Sequence, residues 1–293
     1  MAIWGGIMNN ILNQEIINKK KKKYSNQWSV TSDEYNKKGI YQWMASFLSD
    51  NQNAILEIGC GSGVSTFNLC NKAKKVISID DNLDCLKKSK KLLEEKGIRV
   101  RLIKRERIRI ISNNKYETLY FQMKEEFLKD EQVLLIEGDI LYDNNLINFL
   151  KSYKLFDTVV CWLIGTHQAK MYNNQVQQDN IKSDGDYRWS VEEHLCRLSR
   201  DLLVLGGRVH IVDRMKEPET EEQKQEIITC YKELFDYDVD FEGIKLNTVF
   251  LDNHEGIRLV NSVDDRTHII DNHNLIITFV SLMFKIYRGE EQC

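Results

Sequence analysis

Residues 56–63 read Leu56-Glu57-Ile58-Gly59-Cys60-Gly61-Ser62-Gly63, and a second apolar run, Ile77-Ser78-Ile79, ends in Asp80. An apolar run closed by three alternating glycines, then another closed by an acid, reads as strand, tight turn, helix and strand. Glycine lets the backbone turn sharply and approach a ligand with no Cβ in the way. An acid at the end of the second strand of an open α/β sheet sits where a ribose is held. The dinucleotide fingerprint G-x-G-x-x-G is not met, because Val64 stands where its third glycine belongs.

Outward from this stretch the alternation continues. Residues 54–58 and 76–79 are expected as strands 1 and 2, with a helix opening at 64–70. Residues 83–96 form an amphipathic pattern, Leu83, Leu86, Leu92 and Leu93 inward and lysines outward, closed by Gly97. Residues 133–136, 156–163 and 208–212 read as strands 3, 4 and 5, with a helix over 191–205 ended by Gly206-Gly207. A helix over 219–235 precedes three strand-like stretches at 245–251, 256–263 and 274–287. Strands alternating with helices imply a parallel sheet with right-handed crossovers.

Ahead of this core, 33–49 reads as a helix, with Tyr35, Ile40, Tyr41, Met44 and Phe47 near helical spacing and Thr31-Ser32-Asp33 as cap candidates. Residues 1–30 are polar and basic, and the run Lys19–Lys23 reads first as a solvated arm. The expected organisation is an N-terminal arm and lid helix over 1–50, then one unit over 51–293 with an insertion at about 98–130. In that insertion Arg99, Arg101, Arg105, Arg107 and Arg109 alternate with Val100, Leu102, Ile108 and Ile110. One strand there would carry an apolar and a cationic face. Such a surface is either a solvated hairpin or a seat for an anionic partner.

Composition excludes several classes. A net charge of −3 gives no global pull toward nucleic acid or anionic membrane. Seven cysteines without C-x-x-C or zinc spacing fit the reduced thiols of a cytoplasmic protein. The first residues lack a basic stretch ahead of an apolar one, so no secretory signal is read. The longest apolar stretch, 275–284, is too short to span a bilayer.

The pattern E-x-G-x-G-x-G over Glu57, Gly59, Gly61 and Gly63, followed by Asp80, resembles the cofactor motif of class I S-adenosylmethionine (SAM)-dependent methyltransferases. The resemblance covers residues 54–214. It implies an α/β fold, a Rossmann-like doubly wound seven-stranded sheet of order 3-2-1-4-5-7-6, with helices on both faces and a C-terminal antiparallel hairpin. It also implies SAM as cofactor and residue roles. Glu57 approaches the methionine amino group, and the backbone of Gly59, Cys60, Gly61 and Gly63 lets the cofactor lie close. Asp80 accepts the ribose hydroxyls, with Asp81 and Asn82 beside the adenine. Asp139 takes the adenine amino group, and Ile140 packs the base. Cys161-Trp162 ends strand 4 beneath the cofactor. Trp28, Tyr41 and Trp162 are candidates for the substrate pocket and lid. His167, just past strand 4, is the candidate general base, and Asp213 and Arg214 end strand 5 toward the same cleft. No metal site is expected: Glu192-Glu193-His194 lacks a third ligand at the right spacing, since that position is Ser190. The only proline is Pro218, so the N-P-P-Y motif common in amino-methyltransferases of nucleic acids is excluded, as is a Pro-Cys nucleophile.

Three functions stay open at this level. The favoured one is methylation of a hydroxyl, carboxyl or amine on a small molecule or peptide. RNA methylation through the basic segments 18–23 and 99–109 is the second. A SAM-binding regulatory or interaction module without turnover is the third. Oligomeric state is not legible.

Overall fold

The strand Val133–Glu137 is buried at every position. A strand covered on both faces reads as unbroken apolar sequence, and this one lies inside a sheet with helices above and below. The computed structural model describes residues 12–123, 130–153, 156–251 and 275–287. Helices α1 (Gln14–Lys37) and α2 (Ile40–Ser46) lead into β1 (Gln52–Ile58), α3 (Val64–Cys70), β2 (Ala73–Asp80) and α4 (Leu83–Glu95). Three short strands follow: β3 (Val100–Ile103), β4 (Glu106–Ser112) and β5 (Lys115–Tyr120). Then come β6 (Val133–Glu137), α5 (Asn144–Tyr153) and β7 (Phe156–Trp162). A 3-10 turn over Gln168–Tyr172 precedes α6 (Asn174–Gln178) and α7 (Asp184–Leu202). The chain continues through β8 (Leu203–Met215), α8 (Glu221–Lys232), β9 (Val239–Leu251) and β10 (Leu275–Ile286).

The main sheet runs β3-β6-β2-β1-β7-β8-β10-β9. Pairs from β3 to β8 are parallel, and β10 is antiparallel to both β8 and β9. This is the expected Rossmann-like order 3-2-1-4-5-7-6, with β3 added as an eighth strand outside β6. Side-chain alternation splits the core. Leu56, Ile77, Ile79, Leu134 and Ile136 pack on the α5, α7 and α8 side. Ile55, Val76, Val133 and Leu135 pack on the side of α1 to α4. Among the described residues, no helix is long and apolar enough to cross a membrane.

Four details differ from expectation. The basic run is not a solvated arm: α1 takes it up, Lys21 is buried, and its ammonium bonds Glu106 at 2.6 Å and the Asp81 carbonyl at 3.0 Å. The expected helix over 33–49 is the end of α1 and then α2, separated by Gly39 in the left-handed region (φ 74°). The arginine stretch is not one strand. It turns a corner at Arg105, so β3 joins the main sheet while β4 pairs with β5 in a separate hairpin. Glu137 makes the corner by accepting the backbone N–H groups of Arg105 and Glu106 at 2.7 and 3.0 Å. The helix expected to reach 205 stops at Leu202, and β8 begins at once. Residues 204–207 bulge out of the β7–β8 pairing, with Gly206 at φ 77°. The expected strand at 256–263 lies outside the described residues.

Candidate functional site

The parallel strands all end on one side of the sheet. The order reverses between β1 and β7, and a cleft opens there, where open α/β sheets hold their ligands. It is lined by loops after β1, β2, β6 and β7, with α1 and α7 as walls.

The floor is the glycine turn. Gly59 and Gly61 have φ of 84° and 51°, a region costly for residues with a Cβ. A Cβ on Gly61 would overlap the Trp28 indole nitrogen, and one on Gly59 would overlap Ile164. Glu57 lies beneath the turn rather than in the cleft. It is buried, and its Oε2 accepts from Thr66 and Ser78, each at 2.6 Å. Burial raises its pKa despite these hydroxyls. Cys60 and Cys161 are buried, with thiol pKa values pushed up by burial, and neither lines the cleft. Gly63 is the residue before α3 and sits against Ser89 of α4.

Asp80 stands at the lip. Its Oδ2 accepts the Gly61 N–H at 2.9 Å and its Oδ1 accepts the Asn82 N–H at 2.8 Å. Burial, and then the charge of Asp81, raise its pKa to about 7. Asp81 resists burial in its ionised form because Lys170 and His167 face it, and its pKa falls well below the usual range. Asp139 and Ile140 line the far end. Asp139 Oδ1 accepts the Leu141 N–H at 2.9 Å, while Oδ2 accepts from Lys170 at 2.5 Å and from the Tyr187 hydroxyl at 3.1 Å. Burial disfavours the Lys170 ammonium, but Asp139 and Asp81 outweigh it and hold its pKa well above normal.

The structure thus brings Gly59, Gly61, Asp80, Asp81, Asp139, Ile140 and Trp28 to one cleft. It places other candidates elsewhere. Trp162 is buried on the opposite side of the strand end, and its indole donates to His210 at 3.1 Å. Tyr41 is 3 % exposed and pairs with the Ser32 hydroxyl at 2.9 Å. His167 is 1 % exposed, lies outside the cleft lining, and has Nε2 at 3.6 Å from Asp81. Burial lowers its pKa to about 4, not near neutrality as expected of a free imidazole. Asp213 lies on the α7 side, its Oδ1 accepting from Arg188 at 2.9 Å.

Sequence reasoning missed Tyr24, Lys170 and Tyr187. Tyr24 lines the cleft, and its hydroxyl fills the space a Cβ on Gly165 would take. It stands one helical turn before Trp28, so reading 17–35 as a helix would have paired them. Lys170 and Tyr187 carry no local signal.

In comparisons with known proteins, no family model and no curated protein sequence matches the chain. Solved structures resemble it distantly. The N-methyltransferase NodS from Bradyrhizobium japonicum, in complex with S-adenosyl-L-homocysteine, is 12 % identical, with 80 % of this chain and 78 % of that one covered and a TM-score of 0.38. An rRNA methylase from Streptococcus thermophilus is 12 % identical over 85 % of this chain and 94 % of its own, at a TM-score of 0.36. The [4+2]-cyclase SpnF is 10 % identical over 85 % and 80 %, at a TM-score of 0.44. Likenesses this distant do not speak to reaction or substrate.

Proposed function

We propose that this chain is a SAM-dependent methyltransferase acting on a small molecule or peptide. The observation that carries the reading is the glycine turn with Asp80 at its lip, both in one cleft at the switch point of the sheet. The residues fit the cofactor. A carboxylate has about four lone-pair positions. Backbone N–H groups take one on each oxygen of Asp80, which leaves one on each for vicinal ribose hydroxyls. Ile140 and Ile79 give the cleft an apolar wall for a base. At the base end, Asp139 is held by Lys170 and Tyr187, so this acid and its lysine would meet the adenine edge together. Glu57 would act by bracing the turn.

Bound there, the cofactor supplies a methyl group already activated as a sulfonium. The protein then has to align an acceptor and exclude water. Tyr24 and Trp28 of α1 do the second by covering the turn. A base is required only if the acceptor must lose a proton. Sealed His167 and Arg188-bound Asp213 argue for alignment as the larger part. His167→Ala should therefore keep at least about a tenth of parental turnover. A loss of roughly 10²- to 10⁴-fold would establish a general base instead.

RNA methylation is the less supported reading. Arg101, Arg105 and Arg109 are paired with Glu131, Asp143 and Glu117, and Lys21 with Glu106. The test is calorimetry with SAM, S-adenosylhomocysteine and NAD, followed by assay of SAM consumption. Binding of the first two without NAD, and turnover that does not fall with salt, is expected. Absence of SAM binding overturns the proposal. Binding without turnover on any acceptor leaves a regulatory module, and steeply salt-dependent RNA binding would restore the nucleic-acid reading.

A further inference from the structure

Asp213 and Arg214 are neighbours on β8, and side chains alternate across a strand. Asp213 therefore turns to the α7 side and bonds Arg188, while Arg214 turns to the α1 side. The acid beside Arg214 in sequence is thus spent elsewhere. Among the described residues no carboxylate forms an ion pair with Arg214. Its guanidinium carbon lies 5.7 Å from the Trp28 ring centre, and its Nε is sealed from solvent without a hydrogen-bond partner. The Tyr35 hydroxyl is fully buried and faces that guanidinium, which is the group it meets. Trp28 in turn overlies Gly61. A half-buried guanidinium with no carboxylate bonded to it and the phenol hydroxyl it faces therefore stand together behind Trp28, which lines the cleft. Burying a charge without a counter-charge is costly, and a planar guanidinium matches a carboxylate in a two-bonded fork.

We propose that Arg214 and Tyr35 form a carboxylate-binding subsite beside the glycine turn, recognising an acidic group on the molecule that occupies the cleft. The carboxylate has two sources: the amino-acid tail of the cofactor, or an acidic acceptor. The first of these rests on the cofactor reading above.

The test is calorimetry on the full chain with S-adenosylhomocysteine, its decarboxylated analogue S-adenosyl-3-thiopropylamine, and benzoate against benzamide. If the carboxylate is the cofactor's, the wild type binds S-adenosylhomocysteine tenfold or more tighter than the decarboxylated analogue. Arg214→Gln then abolishes that difference, and Tyr35→Phe reduces it. If it is the acceptor's, the two nucleosides bind alike, and benzoate but not benzamide binds the protein saturated with S-adenosylhomocysteine, an effect lost in Arg214→Gln. If the wild type shows neither preference, the subsite is overturned, whether or not the variants fold. Benzoate binding with no nucleoside binding would sink the cofactor reading and keep the subsite; nucleoside binding with neither preference does the reverse.

Discussion

Asp80 carries a pH dependence that the structure lets one work out in advance. Burial and the neighbouring Asp81 charge place its pKa near 7, so in the free protein it is half protonated at neutral pH. The ribose hydroxyls need an acceptor, and a protonated carboxyl must use one oxygen as a donor. Ligand binding thus favours the ionised form and should draw the pKa down. With a free-state pKa of about 7, apparent affinity falls by the factor 1 + 10^(pKa − pH), which makes it about tenfold weaker at pH 6 than at pH 8. The cleanest probe is 5′-methylthioadenosine, which keeps ribose and base and has no amino-acid tail to titrate. Its dissociation constant should improve about tenfold over that interval for the wild type and stay flat for Asp80→Asn. Stability of the free protein should move the other way. A carboxyl raised in the folded state contributes most below its unfolded pKa, and that contribution is lost as pH rises through about 7. A flat wild-type binding profile, or the same slope in Asp80→Asn, would refute the ribose assignment.

Other perturbations have equally definite signs. Arg105→Met should cost about 3–5 kcal/mol in urea unfolding, because it strands the buried Asp143 carboxylate, and Arg105→Met with Asp143→Leu should recover most of it. Glu192 has its pKa raised to about 8 by burial and then by Asp213, so its stabilising contribution is lost as pH rises toward 8; Glu192→Gln should flatten the melting-temperature profile between pH 6 and 9, and an unchanged profile would remove Glu192 as the cause. Gly61→Ala should destabilise by about 1–2 kcal/mol from the left-handed backbone alone, plus the overlap with Trp28. Adding Trp28→Ala should remove only the second part, which a double-mutant cycle reads as non-additivity.

What was legible in the sequence was local. The turn from Gly59 to Gly63 needs residues that tolerate positive φ, and that need is written into alternate positions of one short stretch. Asp80 follows one strand later, and the strands between them are apolar because both faces are covered. The arginine stretch misled for the complementary reason. Arginines recur on odd positions at both ends of the stretch, 99 and 101 and then 105, 107 and 109, yet the chain turns at Arg105. The groups that turn it, Glu137 and Asp143, are more than thirty residues away, at sequence separations of 32 and 38. No pattern within the stretch could announce a corner made from outside it.

The cover over the cleft was hidden in the same way. Lys19–Lys23 looks like solvated charge, but one of its five lysines is buried because Glu106 lies opposite it, 85 residues on. That pair anchors α1, and α1 sets Tyr24 and Trp28 over Gly165 and Gly61. Once α1 is a helix, Tyr35 follows on the same packed face and meets Arg214. The part of Tyr35 in the proposed subsite therefore depends on α1, which the buried Lys21–Glu106 pair ties to β4. Lys21→Met should weaken protection of the α1 amides to hydrogen exchange and, through Trp28 and Tyr35, lower the carboxylate preference at Arg214. If exchange rises while that preference is unchanged, Arg214 is held by β8 alone and α1 serves only to exclude water.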